Sequence, residues 1–437
     1  MDNYKTADVF GVKSKLIASY VERIEVDNKF KEAIIDGNEV IVYGSSKQGK
    51  TSLILKHLIE ENFVKVECSP QTQTIDIYKS ILRQMNITFQ ESEVKDSSLE
   101  HGGKIAANFK VNIPFFADAS IGGDVTDKAI TKTSSKEVSI EYNLALAQDV
   151  SELLKKIDFK KYIVLENFHY LQQDVQEALA FDLRTFQDHH IIFIILGIWR
   201  EANRLIQFNG DLLDRVTEIP VEPWSTDDFR KVIQTGAKLL NVDFSEIEDK
   251  LIEESFDSIG VVQEIAKLCC QFADIYETSR KTCLLTEEHL EKALKQKAVD
   301  YGTRHIRNFE AFVDVIRKTS NQSGKPSLAL PYYFIKLLLN HRFEEIERGL
   351  SRATLLEEIR KIHHRPDDVR SGDLGAFLHN ISQHQISKKI QPPFVDYDRG
   401  GKILKIIDSS MYFFLKNCDR EEILSDIPNP LDGSDTE

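Results

Sequence analysis

Apolar positions in the first half of the chain follow two alternating rhythms. Short runs at Val40-Ile41-Val42-Tyr43, Phe63 to Cys68, Tyr162 to Leu165 and Ile191 to Ile198 have strand length, bounded by glycine, serine or an acid. Between them lie helical segments. In residues 26–35, 74–85, 144–157 and 178–186 the apolar residues return at helical spacing, as Ile75, Ile77, Ile81 and Leu82 do. Single apolar strands separated by amphipathic helices predict an α/β core with a parallel sheet. Residues 92–140 interrupt the alternation with Phe109 to Phe116, a Gly122-Gly123 pair and the polar tract 131–136. This stretch predicts a β-hairpin-like insertion, with Phe115-Phe116 a candidate partner contact or mere decoration.

The core is expected to span residues 1–224. Ser225-Thr226-Asp227-Asp228 is a helix start, and the chain to about residue 300 is helical and strand-poor, a small lid. Asn321 to Pro326 reads as a linker. Within 301–420, helices at 331–340, 351–362 and 371–390 precede a hairpin, with strands 394–397 and 402–407 around Asp398-Arg399-Gly400-Gly401. Three helices and a hairpin are the order of a winged-helix domain. Residues 421–437 read as an acidic, flexible tail.

The first strand runs into Gly44-Ser45-Ser46-Lys47-Gln48-Gly49-Lys50-Thr51, followed by Ser52 and a helix. This is G-x-x-x-x-G-K-[ST] between strand and helix, a phosphate-binding loop. The glycines let backbone N–H groups face phosphate oxygens, and the helix start adds its positive dipole end. Lys50 can reach the outer phosphates, and the Thr51 hydroxyl can ligate Mg²⁺. A second signal is the acid ending the strand Tyr162 to Leu165, Glu166, followed by Asn167. An acid there can hold Mg²⁺ or a metal-bound water. Asn167 stands where a proton-accepting Glu usually stands, and an amide cannot take a proton. Either Glu166 serves the metal beside an amidated base position, or it does both jobs; both predict slow ATP hydrolysis. Arg200 or Asn203 is a candidate γ-phosphate sensor and Tyr20 to Arg23 a candidate base-side contact. Arg215 is either a finger for a neighbour's ATP or a surface residue paired with Asp211 or Asp214.

Charge changes the picture at the other end. The 437-residue chain carries 56 Lys+Arg against 70 Asp+Glu, a formal charge of −14. Such a chain repels polyanions as a whole, so contact with duplex DNA requires a local basic surface. Lys388, Lys389, Arg399 and Lys402 in the winged helix are the candidates. The five cysteines lack paired spacing, which suggests reduced thiols in a cytoplasmic protein. No apolar run is long enough to span a bilayer.

Taken together, the loop with Gly44, Lys50 and Thr51, the acid Glu166, the strand end near Arg200, Arg215, the lid and the winged helix resemble AAA+ ATPases. The order is similar to origin-recognition ATPases and to STAND switch NTPases. The resemblance implies ATP and Mg²⁺ as ligands, ADP as product, and nucleotide state relayed through lid and winged helix to DNA. It equally allows a signalling or antiphage-defence scaffold that assembles with itself or a protein partner without binding DNA. Three departures stand out: Glu166-Asn167 replaces Asp-Glu, Gln263 stands in the lid region where a sensing Arg is common, and the insertion at 92–140 is not a standard part.

Overall fold

The computed structural model describes residues 3–13, 15–91, 108–113, 138–313, 327–341, 345–346 and 348–429. Five parallel strands form the central sheet: β1 (Glu39–Tyr43), β2 (Phe63–Glu67), β6 (Tyr162–Glu166), β7 (Phe193–Gly197) and β8 (Val216–Pro220), in the order β2-β6-β7-β1-β8. Helices cover both faces, so successive residues of β1 enter different cores. Val40 and Val42 meet Phe30 and Leu53, whereas Ile41 and Tyr43 meet Leu165 and Ile195. Burial on both faces is what a continuous apolar run demands.

Registers Tyr43↔Gly197, Tyr43↔Pro220 and Glu67↔Glu166 bring the carboxyl ends of all five strands to one edge. That edge is where an open α/β sheet presents its ligand crevice. The phosphate-loop helix α3 (Lys50–His57) starts there.

Inside the insertion, β3 (Thr88–Glu91), β4 (Asn108–Ile113) and β5 (Val138–Asn143) pair antiparallel, and Phe109 and Tyr142 are buried against Ile77 and Tyr78. The hairpin expectation becomes three strands in their described parts. Phe115-Phe116 and the linker 321–326 fall outside the described residues.

Several expected boundaries move. The lid holds α7 (Thr226–Leu240), α8 (Glu248–Glu253) and α9 (Ile259–Phe272), plus a small parallel pair, β9 (Val242–Asp243) with β10 (Cys283–Leu284). The following helix α10 (Glu287–Val313) runs straight through the expected boundary at residue 300. Its Leu290 and Ala293 pack with the lid, and its Phe309 and Phe312 with the C-terminal unit, within one continuous hydrophobic cluster. Residues 4–10 also leave the core: Thr6 Oγ1 donates to Ile275 O at 2.9 Å, and Phe10 sits where a Gly236 side chain would be.

In the C-terminal unit, α11 (Leu330–Asn340) and α12 (Arg352–Ile362) fall where expected. The single helix expected over 371–390 is instead α13 (Ser371–His379) and α14 (Ile381–Ser387), broken at Asn380. Asn380 spends its side-chain amide on Ala376 O at 2.9 Å, competing with helix continuation. Strands β12 (Val395–Asp398) and β13 (Ile403–Ile406) form the hairpin, and β11 (Leu350–Ser351) adds a third strand, as in a winged helix. Two helices then follow, α15 (Ser409–Asn417) and α16 (Arg420–Asp426). The tail expected to start at 421 is therefore helical to 426, because Ile423 and Ile427 are buried and Asp419 caps the helix. Among the described residues no helix is long and apolar enough to cross a membrane.

Candidate functional site

Backbone geometry builds the phosphate loop. Gly44 (φ 150°) and Gly49 (φ 86°) occupy the region that side chains avoid, and Gly49 is the N-cap of α3. A Cβ at Gly44 would lie 2.7 Å from Val221 Cγ2, so the loop also presses against the end of β8. Lys50 is half-buried, its Nζ donating to Gly44 O (2.9 Å) and Ser45 O (2.6 Å). Burial pulls its pKa from the usual 10.5 down to about 8, with Glu222 opposing.

Glu166 meets α3 beside the loop. Thr51 Oγ1 donates to Glu166 Oε1 at 3.2 Å, bringing two hard oxygen donors together beside the loop. Mg²⁺ commonly takes such a pair and completes its shell with phosphate oxygens and water, so the donor set fits that ion. The other oxygen, Oε2, accepts from Lys65 of β2 at 3.3 Å. Asn167 is exposed with φ 59°, at the turn after β6.

The tips of β7 and β8 add a pair of charges. Arg200 Nε donates to Ser45 Oγ (2.9 Å) and its Nη2 to Glu222 Oε1 (2.9 Å). Glu222 Oε2 accepts the Ser45 N–H at 2.6 Å. Burial works against the Glu222 carboxylate, but Arg200 and the Ser45 amide outweigh it and hold its pKa below the usual range. Asn203, the other sensor candidate, turns elsewhere; its N–H donates to Glu218 at 2.8 Å.

Sequence reasoning missed Glu222, which stands two residues beyond the half-exposed strand β8, whereas Glu166 ends the buried strand β6. It also missed His169, which is buried with neither ring nitrogen hydrogen-bonded within the protein. Burial, then Lys50, pushes His169 well below its ordinary pKa.

Two other parts of the chain hold the loop directly. From the lid, the Ile259 N–H donates to Gln48 Oε1 and the Gln48 amide donates to Asp257 O, both at 3.4 Å. Gly260 lies against Lys47, with a virtual Cβ only 2.6 Å from the lysine Cβ. From the C-terminal unit, Ile407 O accepts the Ser46 N–H at 3.0 Å, and Ser409 Oγ donates to Ser46 O at 3.2 Å. No local sequence signal announces these contacts.

A cleft of about 140 Å³ opens beside the loop, lined by Lys47 to Leu53 and, across from it, by Tyr20, Val21, Arg23, Trp224 and Gln263. The expected base-side segment therefore faces the phosphate loop, and Ser52 lines the same cleft. Arg23 stacks 3.8 Å over Trp224 and donates to Val221 O. Gln263 is buried, accepting from Gly11 N (3.1 Å) and donating to Ser19 Oγ (3.1 Å). These bonds fasten the N-terminal segment to the lid.

Arg215 lies apart from all of this. Glu39↔Val216 puts it at the opposite edge of the sheet, where it pairs with Asp188 at 2.7 Å and Gln187 at 3.3 Å. Neither expected partner holds it, since Asp211 bonds Arg184 instead. Of the candidate DNA residues, Lys389 and Lys402 are exposed and Lys388 is half-buried. Arg399 donates to Gln173 Oε1 of the core (3.1 Å) and to His379 O (3.0 Å). His384 turns inward, its Nε2 3.0 Å from Phe312 O.

No family model matches the chain, and no curated protein sequence matches it. Solved structures resemble it along nearly their full length at low identity. They include ORC1 of Aeropyrum pernix in complex with DNA, 11% identical over 97% of this chain and 96% of that one, TM-score 0.44. The Walker-type ATPase of Pyrococcus abyssi is 14% identical over 93% and 99%, TM-score 0.47. The RuvB branch-migration motor of Thermotoga maritima is 12% identical over 90% and 92%, TM-score 0.34. What this chain shares with them is a general outline of fold; the site is argued from its own residues.

Proposed function

We propose that the protein is an ATP-binding switch of AAA+/STAND type whose nucleotide state is relayed through the lid and the C-terminal unit. One observation carries this reading: three consecutive loop residues are held by three different parts of the chain. Ser45 is held by the β7 and β8 tips, Ser46 by Ile407 and Ser409, and Lys47 by Gly260. A loop that tightens on phosphates must renegotiate all three contacts, so occupancy biases how lid and C-terminal unit sit.

In this proposal Gly44 to Ser52 cradle the phosphates, and Lys50 exchanges its two loop carbonyls for phosphate oxygens. Thr51 and Glu166 hold Mg²⁺, which would neutralise charge developing on the phosphates. Arg200 fixes Ser45 and is the charge closest to a sensing role. Asn167 can orient water but cannot accept its proton, and Lys65 competes for the second Glu166 oxygen; both favour slow hydrolysis. Arg215 serves an ATP site only if a second copy brings its own site to the far edge of the sheet.

For the output, duplex DNA would meet Lys388, Lys389 and Lys402, and the open form would free Arg399. A second reading, a scaffold that assembles with itself or with another protein, is favoured by the engagement of Arg399 and His384 within the chain. Sizing of the purified protein with ATP or ADP, each with and without duplex DNA, tests both. ATP-dependent DNA retention supports the first reading, and ATP-dependent assembly without DNA the second. A size and DNA response indifferent to nucleotide would refute the switch.

A further inference from the structure

A second cavity, of about 320 Å³, lies on the other side of the phosphate loop and shares no lining residue with the nucleotide cleft. Its walls come from three parts of the chain. The core gives Tyr43, Gly44, Arg200 and Glu222, the lid gives Phe256 and Asp257, and the C-terminal unit gives Arg348, Lys405 and Tyr412. Its volume is that of a small-ligand site rather than a packing flaw.

The charges in it are unevenly satisfied. Arg200 and Glu222 are paired with each other, leaving two further cations and one further acid. Arg348 is exposed and has no ion-pair or hydrogen-bond partner among the described residues. Among the described residues Lys405 reaches Arg200 O at 3.4 Å and Asp398 at 3.8 Å. The remaining acid, Asp257, is exposed and makes no ion pair among the described residues. Beside these cations stand flat apolar surfaces from Pro220, Pro223 and Phe256. Phe256 and Asp257 both have φ of 50°, two consecutive non-glycine residues in a conformation that costs energy unless the surroundings impose it. Converging cations beside flat faces suit a molecule with a phosphate at one end and a planar ring at the other.

We propose that this rear cavity binds a nucleoside monophosphate, its phosphate held by Arg348 and Lys405 and its base against Phe256 and Pro223. Such a ligand touches core, lid and C-terminal unit at once and fastens the three together. The cavity is separate from the ATP cleft, although Gly44 and Arg200 of the proposed ATP machinery stand in its wall.

The test is equilibrium dialysis of the full chain, saturated with the imido analogue of ATP, against AMP, GMP, CMP and UMP in turn. At least one should bind once per chain with Kd at or below about 0.1 mM. Arg348→Ala and Lys405→Ala should each weaken it about tenfold. Arg348→Ala should leave retention of the ATP analogue unchanged. A Lys50→Ala chain, run in parallel, should keep the monophosphate while losing the analogue. Failure of all four monophosphates to bind below about 1 mM overturns the proposal. So does binding of undiminished strength in both cation variants. Failure of the ATP reading shows separately, as a parent chain that does not retain the analogue.

Discussion

The phosphate loop and the winged helix differ in how a local pattern becomes a function. At the loop, function lies in backbone shape. Gly44, Gly49 and a helix start create the amide cup, and Lys50 and Thr51 follow it in sequence, so neighbours along the chain remain neighbours in space. At the winged helix, function lies in which face stays uncovered. The sequence offers Arg399 as surface, but its guanidinium is spent on Gln173 and on His379 O. A motif read from backbone chemistry survives folding; a surface read from composition depends on what packs against it.

The sharpest way to break the comparison is to remove the loop's cation. Lys50→Ala should lower ATP affinity about a thousandfold, roughly 4 kcal/mol. Calorimetric titration giving the parent's affinity would mean that the loop is merely a turn. Next comes the docking that covers the winged helix. Arg204 pairs with the buried Asp396 at 3.1 Å across the core and C-terminal unit. Arg204→Ala leaves that buried carboxylate without its cation, held by Ser382 Oγ at 2.6 Å, and should cost about 3 kcal/mol in urea unfolding. Unchanged stability would place the C-terminal unit away from the core in solution.

Titration sharpens the loop side. With its pKa down to about 8, Lys50 is charged at pH 7 and increasingly neutral above 8. Bound phosphates favour the ammonium, so binding takes up a proton above pH 8. ATP affinity should therefore fall with rising pH, by up to about tenfold per unit beyond 8. A flat profile between pH 7 and 9.5 would show that Lys50 does not carry the binding. The smallest effect belongs to the hairpin tip, where Arg399 is exposed but hydrogen-bonded within the chain. Arg399→Ala should change duplex DNA binding less than about twofold in filter retention without nucleotide, since the guanidinium is already spent on Gln173 and His379. A drop approaching tenfold would mean that the wing is free and the DNA reading gains.

By itself the sequence determined the parts whose causes are local. Apolar runs located β1, β6 and β7, the second of them ending in Glu166, and the loop and Arg200 followed the carboxyl ends of the other two. Cap chemistry at Ser225 placed the lid's first helix. Only the tertiary structure decided that Glu222 bonds Ser45, that Ile407 and Ser409 hold Ser46, that Arg215 faces Asp188, and that one 27-residue helix joins lid to C-terminal unit. Those contacts join residues up to 363 positions apart. Nothing in a strand or helix period encodes them, because they exist only once separate hydrophobic faces have found each other and fixed which polar groups are left side by side.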